Sequence, residues 1–512
     1  MRSIYSLTFL IAWSLCAHAV AAGDTRLVDA VKRQDGATVR ALLKGHVDVN
    51  ALEADGTSAL HWAVRADDVD VARALIKAGA RVESPTRLGV TPLMLAATNG
   101  SAALTAALLK AGANPNAALP EGETVLMTAA RTGNVGTVRA LLDAGADVHA
   151  AERWRGETAL MWAASEDHPD VASALIEHGA RLDERTLTLK FPEVRYNLAT
   201  HGTLPPPQGG FTALMFAARQ GAAASARVLT EAGADLNVQD PDGATAMMVA
   251  IVNTHYDVAA LVLEKGADPN AADRAGMTAL YAAVDLHALE MYASRKPPRR
   301  STSPLGSLEL IRRLLDHGAN PNLALKTVTL RWGVRRGPGD ASLGEGATPF
   351  MRAARLGDVA AMRLLLDKGA DPERRQKKGT TALLLAAGIG WRTGESILGG
   401  LDYGPESDAV DAVRLCLDRG AQVNETDENG ETALHGAVAR GAAVVRILAE
   451  RGAKLDAKDK FGRTPLDVAL GVRAPGDPPV DRQLSPVRGK SAALLRELMG
   501  LAPPVAAAQQ QE

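Results

Sequence analysis

Two short stretches of the sequence contain residue types that bind phosphate or calcium in other proteins. Gly489-Lys490-Ser491 matches the end of a phosphate-binding loop, but the glycine required five residues before Gly489 is replaced by Leu484. Asp240-Pro241-Asp242-Gly243 supplies two carboxylates and the glycine of a calcium loop, but Val249 stands where a bidentate glutamate is required. Neither stretch therefore predicts a ligand site.

Motifs for nucleophilic or metal-assisted catalysis are absent from the sequence. It contains no His-Glu-x-x-His, Gly-x-Ser-x-Gly or Cys-x-x-Cys-His stretch, and its eleven histidines are scattered. Cys16 and Cys416 are the only cysteines, which excludes a disulfide scaffold. We predict no catalytic residues, no cofactor and no metal site.

Trp154 has the residue environment of a protein-binding hot spot. It lies between Arg153 and Arg155 in a predicted turn, and tryptophan and arginine dominate binding energies at interfaces. The alternative is that Trp154 packs on a neighbouring loop. Two basic stretches, 295–300 and 331–336, could bind an acidic protein or an anionic surface, or could be solvated charge runs.

The overall composition argues against a highly charged partner for the whole chain. The 512 residues include 57 Lys and Arg against 59 Asp and Glu, a net charge of −2. This balance gives no general attraction to nucleic acid or an anionic membrane. Hydrophobic residues make up 46% and aromatic residues 4%, so the core must be filled by Ala, Leu, Val and Met.

The N-terminus has the pattern of a secretory signal peptide. Arg2 precedes a mostly apolar run from Ile4 to Leu15, which is too short to span a bilayer, and small residues follow it. We predict a signal peptide over 1–22, cleaved within 19–23, and a periplasmic or secreted protein without a transmembrane segment. An N-terminal core helix and a lipoprotein anchor at Cys16 are the alternatives.

Beyond this segment, the sequence repeats with a period of 33 residues. A Thr/Ser-(Ala/Pro/Val)-(Leu/Met/Phe) tripeptide recurs, each copy two residues after a glycine, and a Gly-Ala-(Asp/Asn) marker follows most copies. Such a period is typical of stacked repeats. The first residues of the tripeptides are Ser58, Thr91, Thr124, Thr158, Thr212, Thr245, Thr278, Thr348, Thr381, Thr432 and Thr464.

Each period contains the signals for two short helices. In one copy Thr124 can cap the first helix and Gly133 can end it, because glycine adopts the left-handed backbone readily. Val135 to Leu142 then place Val138, Leu141 and Leu142 on one face. A single hairpin cannot bury that face, so the copies must stack. We predict an all-α fold, an α-solenoid of about twelve helix-turn-helix repeats with hairpin-like connecting loops.

These motifs resemble the ankyrin repeat family. The family's Thr-Pro-Leu-His-x-Ala signature corresponds to 58–63 and 432–437, and its Gly-Ala-Asp-Val-Asn turn to 266–270, within a resemblance that covers about 24 to 500. Most copies depart from it by carrying methionine instead of histidine. We predict that this methionine column fills the core: Met94, Met127, Met161, Met215, Met248 and Met351.

Insertions divide the predicted array. Repeats occupy 23–183, 210–285 and 346–500. The remaining segments are an insertion at 184–209, a split insertion at 286–345 around a helix at 308–316, a smaller insertion at 388–407, a loop at 471–489 and a disordered tail at 501–512. Insertions in repeat arrays lie on one face, which is often the binding face, although tolerated surface loops have the same pattern.

The resemblance implies a non-enzymatic scaffold or adaptor that binds a partner protein through a concave face of turn tips and first helices. We expect a monomer, and we expect no nucleic-acid partner because nucleic acid is a poor partner for an exported protein. Two alternatives remain: a structural or protective cell-envelope factor, for example against oxidative stress, and an enzyme with a site in the insertions. By position in the repeat, the expected partner contacts are Arg87, Trp154, Arg155, Glu157, Phe211, Arg219, Arg274, Met277, Lys377, Lys378, Glu428, Asn429 and Glu431.

Overall fold

The computed structural model describes most of the predicted array. The described residues are 24–45, 47–188, 209–292, 303–327, 342–390, 405–473 and 486–501. The predicted signal peptide and both basic stretches lie outside these residues, as does all but the first residue of the predicted tail. The chain divides into two compact units, Met1–Arg153 and Trp154–Glu512.

The first unit contains four helical pairs. In each pair a short first helix is followed by an antiparallel second helix. The helices are α1 (Arg26–Lys32), α2 (Gly36–Lys44), α3 (Ala59–Arg65), α4 (Val69–Lys77), α5 (Pro92–Thr98), α6 (Ala102–Lys110), α7 (Val125–Thr132) and α8 (Val135–Asp143).

The second unit contains eight further pairs, so the described residues form the twelve repeats that the period predicts. Its helices are α9 (Ala159–Ser165), α10 (Pro169–Glu177), α11 (Ala213–Gln220), α12 (Ala223–Glu231), α13 (Ala246–Val252), α14 (Tyr256–Glu264), α15 (Ala279–Tyr292), α16 (Ser307–Asp316), α17 (Pro349–Leu356), α18 (Val359–Asp367), α19 (Ala382–Ala387), α20 (Glu406–Asp418), α21 (Ala433–Arg440), α22 (Ala442–Glu450), α23 (Pro465–Ala469) and α24 (Pro486–Leu498).

Helix starts follow the capping residues that the sequence contains. The Thr124 hydroxyl accepts a hydrogen bond from the Met127 N–H (3.3 Å), and Thr245 does the same for Met248 (3.4 Å). These bonds satisfy N–H groups that have no partner within the helix. Gly133 ends α7 at φ 79°, in the left-handed conformation expected from the sequence.

Within each unit the helices form two layers. First helices pack on first helices and second helices on second helices, as in α9–α11–α13 and α10–α12–α14. The core between the layers is mostly Leu, Ala and Val, and the six repeat methionines are at most 4% exposed, which confirms that they fill the core. No strand or sheet occurs in the described parts of the chain, so the prediction of an all-α repeat solenoid is confirmed.

The insertions begin and end differently from the sequence-based boundaries. α15 continues to Tyr292, past the predicted start of the insertion at Leu286, because the helix lacks a glycine or proline that would end it there. α24 begins at Pro486 within the predicted loop 471–489 and packs on α22 and α23. Gly489-Lys490-Ser491 therefore lies inside a helix, where it forms no phosphate loop.

Candidate functional site

The turns that precede the first helices form tight tips stabilised by their own side chains. Gly243, at φ 88°, allows the sharp reversal in one tip. Asp240 Oδ1 accepts hydrogen bonds from the N–H groups of Asp242 (2.9 Å) and Ala244 (2.8 Å). Asp427 and Asp459 make the same pair of bonds in later tips. The carboxylates noted as calcium-like in the sequence thus hold a turn together.

Backbone hydrogen bonds join neighbouring tips. In the first unit the Arg87 N–H donates to the Asp55 carbonyl (2.8 Å). In the second unit Arg274 donates to Asp242 (2.8 Å) and Lys377 donates to Glu345 (2.9 Å). The tip side chains of each unit therefore stand in a regular row.

Charges alternate in sign along these rows. In the second unit Arg274 lies 4.0 Å from Asp242, and Lys377 lies 2.7 Å from Glu345, so that neighbouring tips pair with each other. The alternating tip charges are Asp55, Arg87, Glu121 and Arg153 in the first unit, and Asp242, Arg274, Glu345, Lys377 with Lys378, Glu428 and Lys460 in the second.

A cluster of arginines and aromatic rings interrupts this alternation. We define the aromatic–arginine cluster as Trp154, Arg155, Glu157, Phe211, Phe216 and Arg219. Trp154 is 67% exposed, and the Arg155 guanidinium carbon lies 4.4 Å from its ring centre. The Arg155 guanidinium is also 3.7 Å from the Glu157 carboxylate.

Two backbone hydrogen bonds connect the two halves of the cluster. The Leu187 N–H donates to the Arg155 carbonyl (2.7 Å), and the adjacent Thr186 N–H donates to the Phe211 carbonyl (3.0 Å). Leu187 is itself 50% exposed. Residues 155, 187 and 211 therefore lie side by side although the chain between 188 and 209 is long.

Arg219 on α11 lies against both phenylalanines of the cluster. Its guanidinium carbon is 4.7 Å from the Phe216 ring and 5.6 Å from the Phe211 ring, and the two rings meet edge to face at 5.9 Å. Burial lowers the pKa of the Arg219 guanidinium, an effect that Glu157 opposes and Arg155 reinforces. The cluster therefore holds partly desolvated positive charge.

The remaining residues expected to contact the partner differ in how exposed their side chains are. Lys378 and Glu428 are exposed, whereas Asn429 and Glu431 are half-buried, and the Arg463 guanidinium lies 3.4 Å from the Glu431 carboxylate. Met277 is only 6% exposed, so its side chain offers little surface to a partner. Sequence position alone did not separate this buried residue from the exposed ones.

Arg87 lines a shallow cleft of about 200 Å³ in the first unit. Trp62 and His61 form part of its wall. The Trp62 indole donates to Glu53 (2.6 Å), and the Lys32 ammonium lies 4.5 Å from its ring centre. The Trp62 ring is therefore in contact with side chains of its own unit.

A Ser-His-Asp group that the sequence did not reveal lies between α15 and α18. His287 Nδ1 is 2.9 Å from the Ser307 hydroxyl, and His287 Nε2 is 3.7 Å from Asp358 Oδ2. The Ser307 hydroxyl donates its proton to Glu290 (2.7 Å), and Ser307 is 5% exposed. The Ser307 hydroxyl thus lies within hydrogen-bond distance of both the His287 imidazole and the Glu290 carboxylate, and these side chains form one polar network.

Metal-binding clusters and membrane-spanning helices are both absent from the residues that the structure describes. No group of three or more His, Cys, Asp or Glu side chains that could hold a metal ion occurs in the described ranges. No helix in the described part of the chain has both the length and the apolar character needed to cross a membrane.

Comparisons with known proteins agree with the repeat architecture. A model described as ankyrin repeats (3 copies) matches 27–119, 93–186, 194–273, 214–294 and 406–473, and a single ankyrin repeat model matches 345–377. No curated protein matches the chain. Ankyrin repeats are generally protein–protein interaction modules and typically non-enzymatic. Because the multi-repeat model alone matches more than half of the residues, the chain belongs to the ankyrin repeat family.

Proposed function

We propose that this protein is a non-catalytic scaffold that binds a partner protein through its turn tips and first helices. The exposure of Trp154 carries the proposal. A tryptophan that is 67% exposed beside an arginine loses a large apolar area from water when a partner covers it. Shape and charge complementarity are then the whole function, with no bond broken.

The turn that holds Trp154 favours this role over a structural one. The spacing from Thr124 to Thr158 is one residue longer than the 33-residue period. The additional residue lengthens the tip that carries Arg153, Trp154 and Arg155, and Gly156 at φ 71° closes it. A tryptophan needed only for packing would be largely buried, as Phe216 is at 5% exposure.

Substitution of the exposed pair tests the site. We expect Trp154→Ala with Arg155→Ala to weaken binding of the native partner, identified by crosslinking in its own compartment, by about tenfold or more, because truncated hot spots lose on the order of 2 kcal/mol. Binding can be measured by titration calorimetry, and helicity by circular dichroism should not change.

A control variant removes two long, positively charged side chains from a second helix. Arg73 and Lys77 are exposed on α4, away from the tips, so Arg73→Ala with Lys77→Ala should leave partner binding intact. Unchanged affinity of the Trp154/Arg155 variant would contradict the site, and equal losses in both variants would indicate a general effect of surface charge.

We also propose that the protein is exported and acts in the periplasm or outside the cell. The support is the sequence of 1–22, with Arg2 before a short apolar run and small residues after it. N-terminal sequencing of the protein recovered from its native host should find a first residue within 19–23. An intact Met1 on the protein recovered there would contradict export by this segment.

A further inference from the structure

We propose that the aromatic–arginine cluster binds an acidic segment of the partner, one in which Asp or Glu side chains flank an aliphatic or aromatic side chain. This inference rests on the proposed protein-binding function and adds the chemistry of the bound segment. It is carried by the excess of positive charge at the cluster, by the apolar surface beside that charge, and by the contrast with the other tips.

The charge balance at the cluster is positive. Arg155 and Arg219 belong to it, and Arg185 lies next to it, since its Nε donates to the carbonyl of Gly210 (3.2 Å), the residue before Phe211. Glu157 is the single carboxylate that belongs to the cluster. The cluster thus has two guanidinium groups and one carboxylate, with the Arg185 guanidinium at its edge, and this excess of positive charge attracts an acidic segment.

Acids of the adjacent tip do not cancel this excess. Asp242 lies 4.0 Å from Arg274 and so belongs to the next pair in the row. Asp240 is 6% exposed and its carboxylate is occupied by the N–H groups of its own turn. Elsewhere in the second unit, tip charges of opposite sign pair, as Lys377 does with Glu345.

Apolar surface adjoins the positive charge. Trp154 and Leu187 are exposed by 67% and 50%, and their backbones are joined through Arg155. Phe211 is half-buried on the other side. A segment that brought only carboxylates would leave this surface in water, whereas one that also carries an apolar side chain would cover it.

The half-buried position of Arg219 strengthens its preference for a carboxylate. Its guanidinium lies over two aromatic rings, where water solvates it poorly. Hydrogen bonds between a guanidinium and a carboxylate are about twice as strong as those between neutral groups, and a partly desolvated site screens them less. A protein segment fits better than nucleic acid, because the whole chain has a net charge of −2.

A peptide selection tests the chemistry directly. A display library of random short peptides would be panned against the full chain and counter-selected against the Trp154→Ala, Arg155→Ala variant, so that the retained peptides depend on the cluster. We expect these peptides to be enriched in Asp and Glu next to Leu, Ile, Phe or Trp. We expect their affinity to fall about tenfold in Arg219→Gln and to weaken further as salt is added.

Arg227→Gln is the matched control. Arg227 is an exposed arginine on α12, a second helix outside the turn tips, so the peptides should bind this variant as they bind the natural chain. Circular dichroism and thermal melting of each variant separate a loss of binding from a loss of fold.

The outcomes separate this inference from the proposed function. Retained peptides that are basic or uncharged, no retained peptides, or tighter binding of a single-stranded oligonucleotide at the cluster would each overturn the acidic-segment inference. If the native partner nevertheless loses affinity in the Trp154/Arg155 variant, the protein-binding function stands. If the partner binds that variant normally, the proposed site itself is wrong.

Discussion

At the scale of single residues, aspartates at equivalent positions of two turns have pKa values that shift in opposite directions. Burial raises the pKa of Asp240 from 3.8 to about 6, since no cation offsets the loss of water. Burial also acts on Asp459, but hydrogen bonds from the backbone and side chain of Arg463 outweigh it and lower the pKa of that carboxyl. The Arg463 Nε is 2.7 Å from Asp459.

This contrast predicts a pH dependence of stability. Because the folded pKa of Asp240 is raised, its ionisation disfavours the folded state progressively as pH rises from about 4 through about 6. Asp240→Asn keeps the oxygen acceptor of the turn and removes the charge. We expect the variant to gain urea resistance relative to the natural chain across this range of pH, and to keep that gain at neutral pH.

Asp459→Asn is the control with the opposite sign. The lowered pKa of Asp459 contributes stability above the unfolded value of 3.8 that is lost as pH falls through the folded value. This variant should therefore be less stable than the natural chain at neutral pH, with a smaller difference in acid. A natural chain that gains stability over Asp240→Asn as pH rises would contradict the burial argument.

One position of the first helix is histidine in some repeats and methionine in others, and the two side chains differ in the hydrogen bonds that they make. His61 Nδ1 accepts from the Ser58 N–H (3.2 Å), and Nε2 reaches the Val90 carbonyl of the next turn (3.2 Å). Met127 accepts from the Thr124 N–H through sulfur (3.4 Å) but has no second polar atom. A methionine at this position therefore cannot make the bond to the next turn that His61 Nε2 makes.

At the scale of elements, the tips act as a charged row that links one repeat to the next. Backbone bonds between tips fix the spacing, and side chains of opposite sign then face each other. Surface ion pairs of this kind contribute little individually and weaken in salt. Their effect is to keep these tips self-complementary, whereas the aromatic–arginine cluster has two arginines and one carboxylate.

Charge exchange tests the pairing of tips. Reversing one member of the pair, by Glu345→Lys or Lys377→Glu, places like charges side by side, and we expect each to lower the melting temperature slightly at low salt. The double variant restores opposite charges and should recover most of the loss. Added salt should reduce the change in melting temperature of all three variants. If the change in the double variant equals the sum of the two single changes, the two side chains do not interact.

At the scale of the whole molecule, we expect stability to be a sum over neighbouring repeats, because the described helical pairs within each unit pack mainly on the pairs beside them. α22, for example, packs on α20, α21 and α24. Leu448 on α22 is fully buried between the layers. A cavity at this position should therefore loosen its neighbours rather than the entire chain.

Hydrogen exchange measured by mass spectrometry tests this locality. Leu448→Ala should cost about 2–5 kcal/mol at the site and speed exchange in α20, α21, α22 and α24, because removing a buried leucine leaves a cavity. Exchange in α10 to α14 should not change. Leu498, which is 39% exposed, provides the control Leu498→Ala, and a uniform increase across the second unit would contradict the nearest-neighbour picture.

The sequence by itself determined the helices and their stacking, because capping threonines, ending glycines and apolar spacing act within one repeat and recur every 33 residues. It also singled out Trp154, since a tryptophan between two arginines in a predicted turn is visible without coordinates. Only the tertiary structure decided that Met277 is buried and that Arg155, Leu187 and Phe211 lie together. Those relations depend on contacts between turns separated by long insertions, whose path through space no local residue pattern specifies.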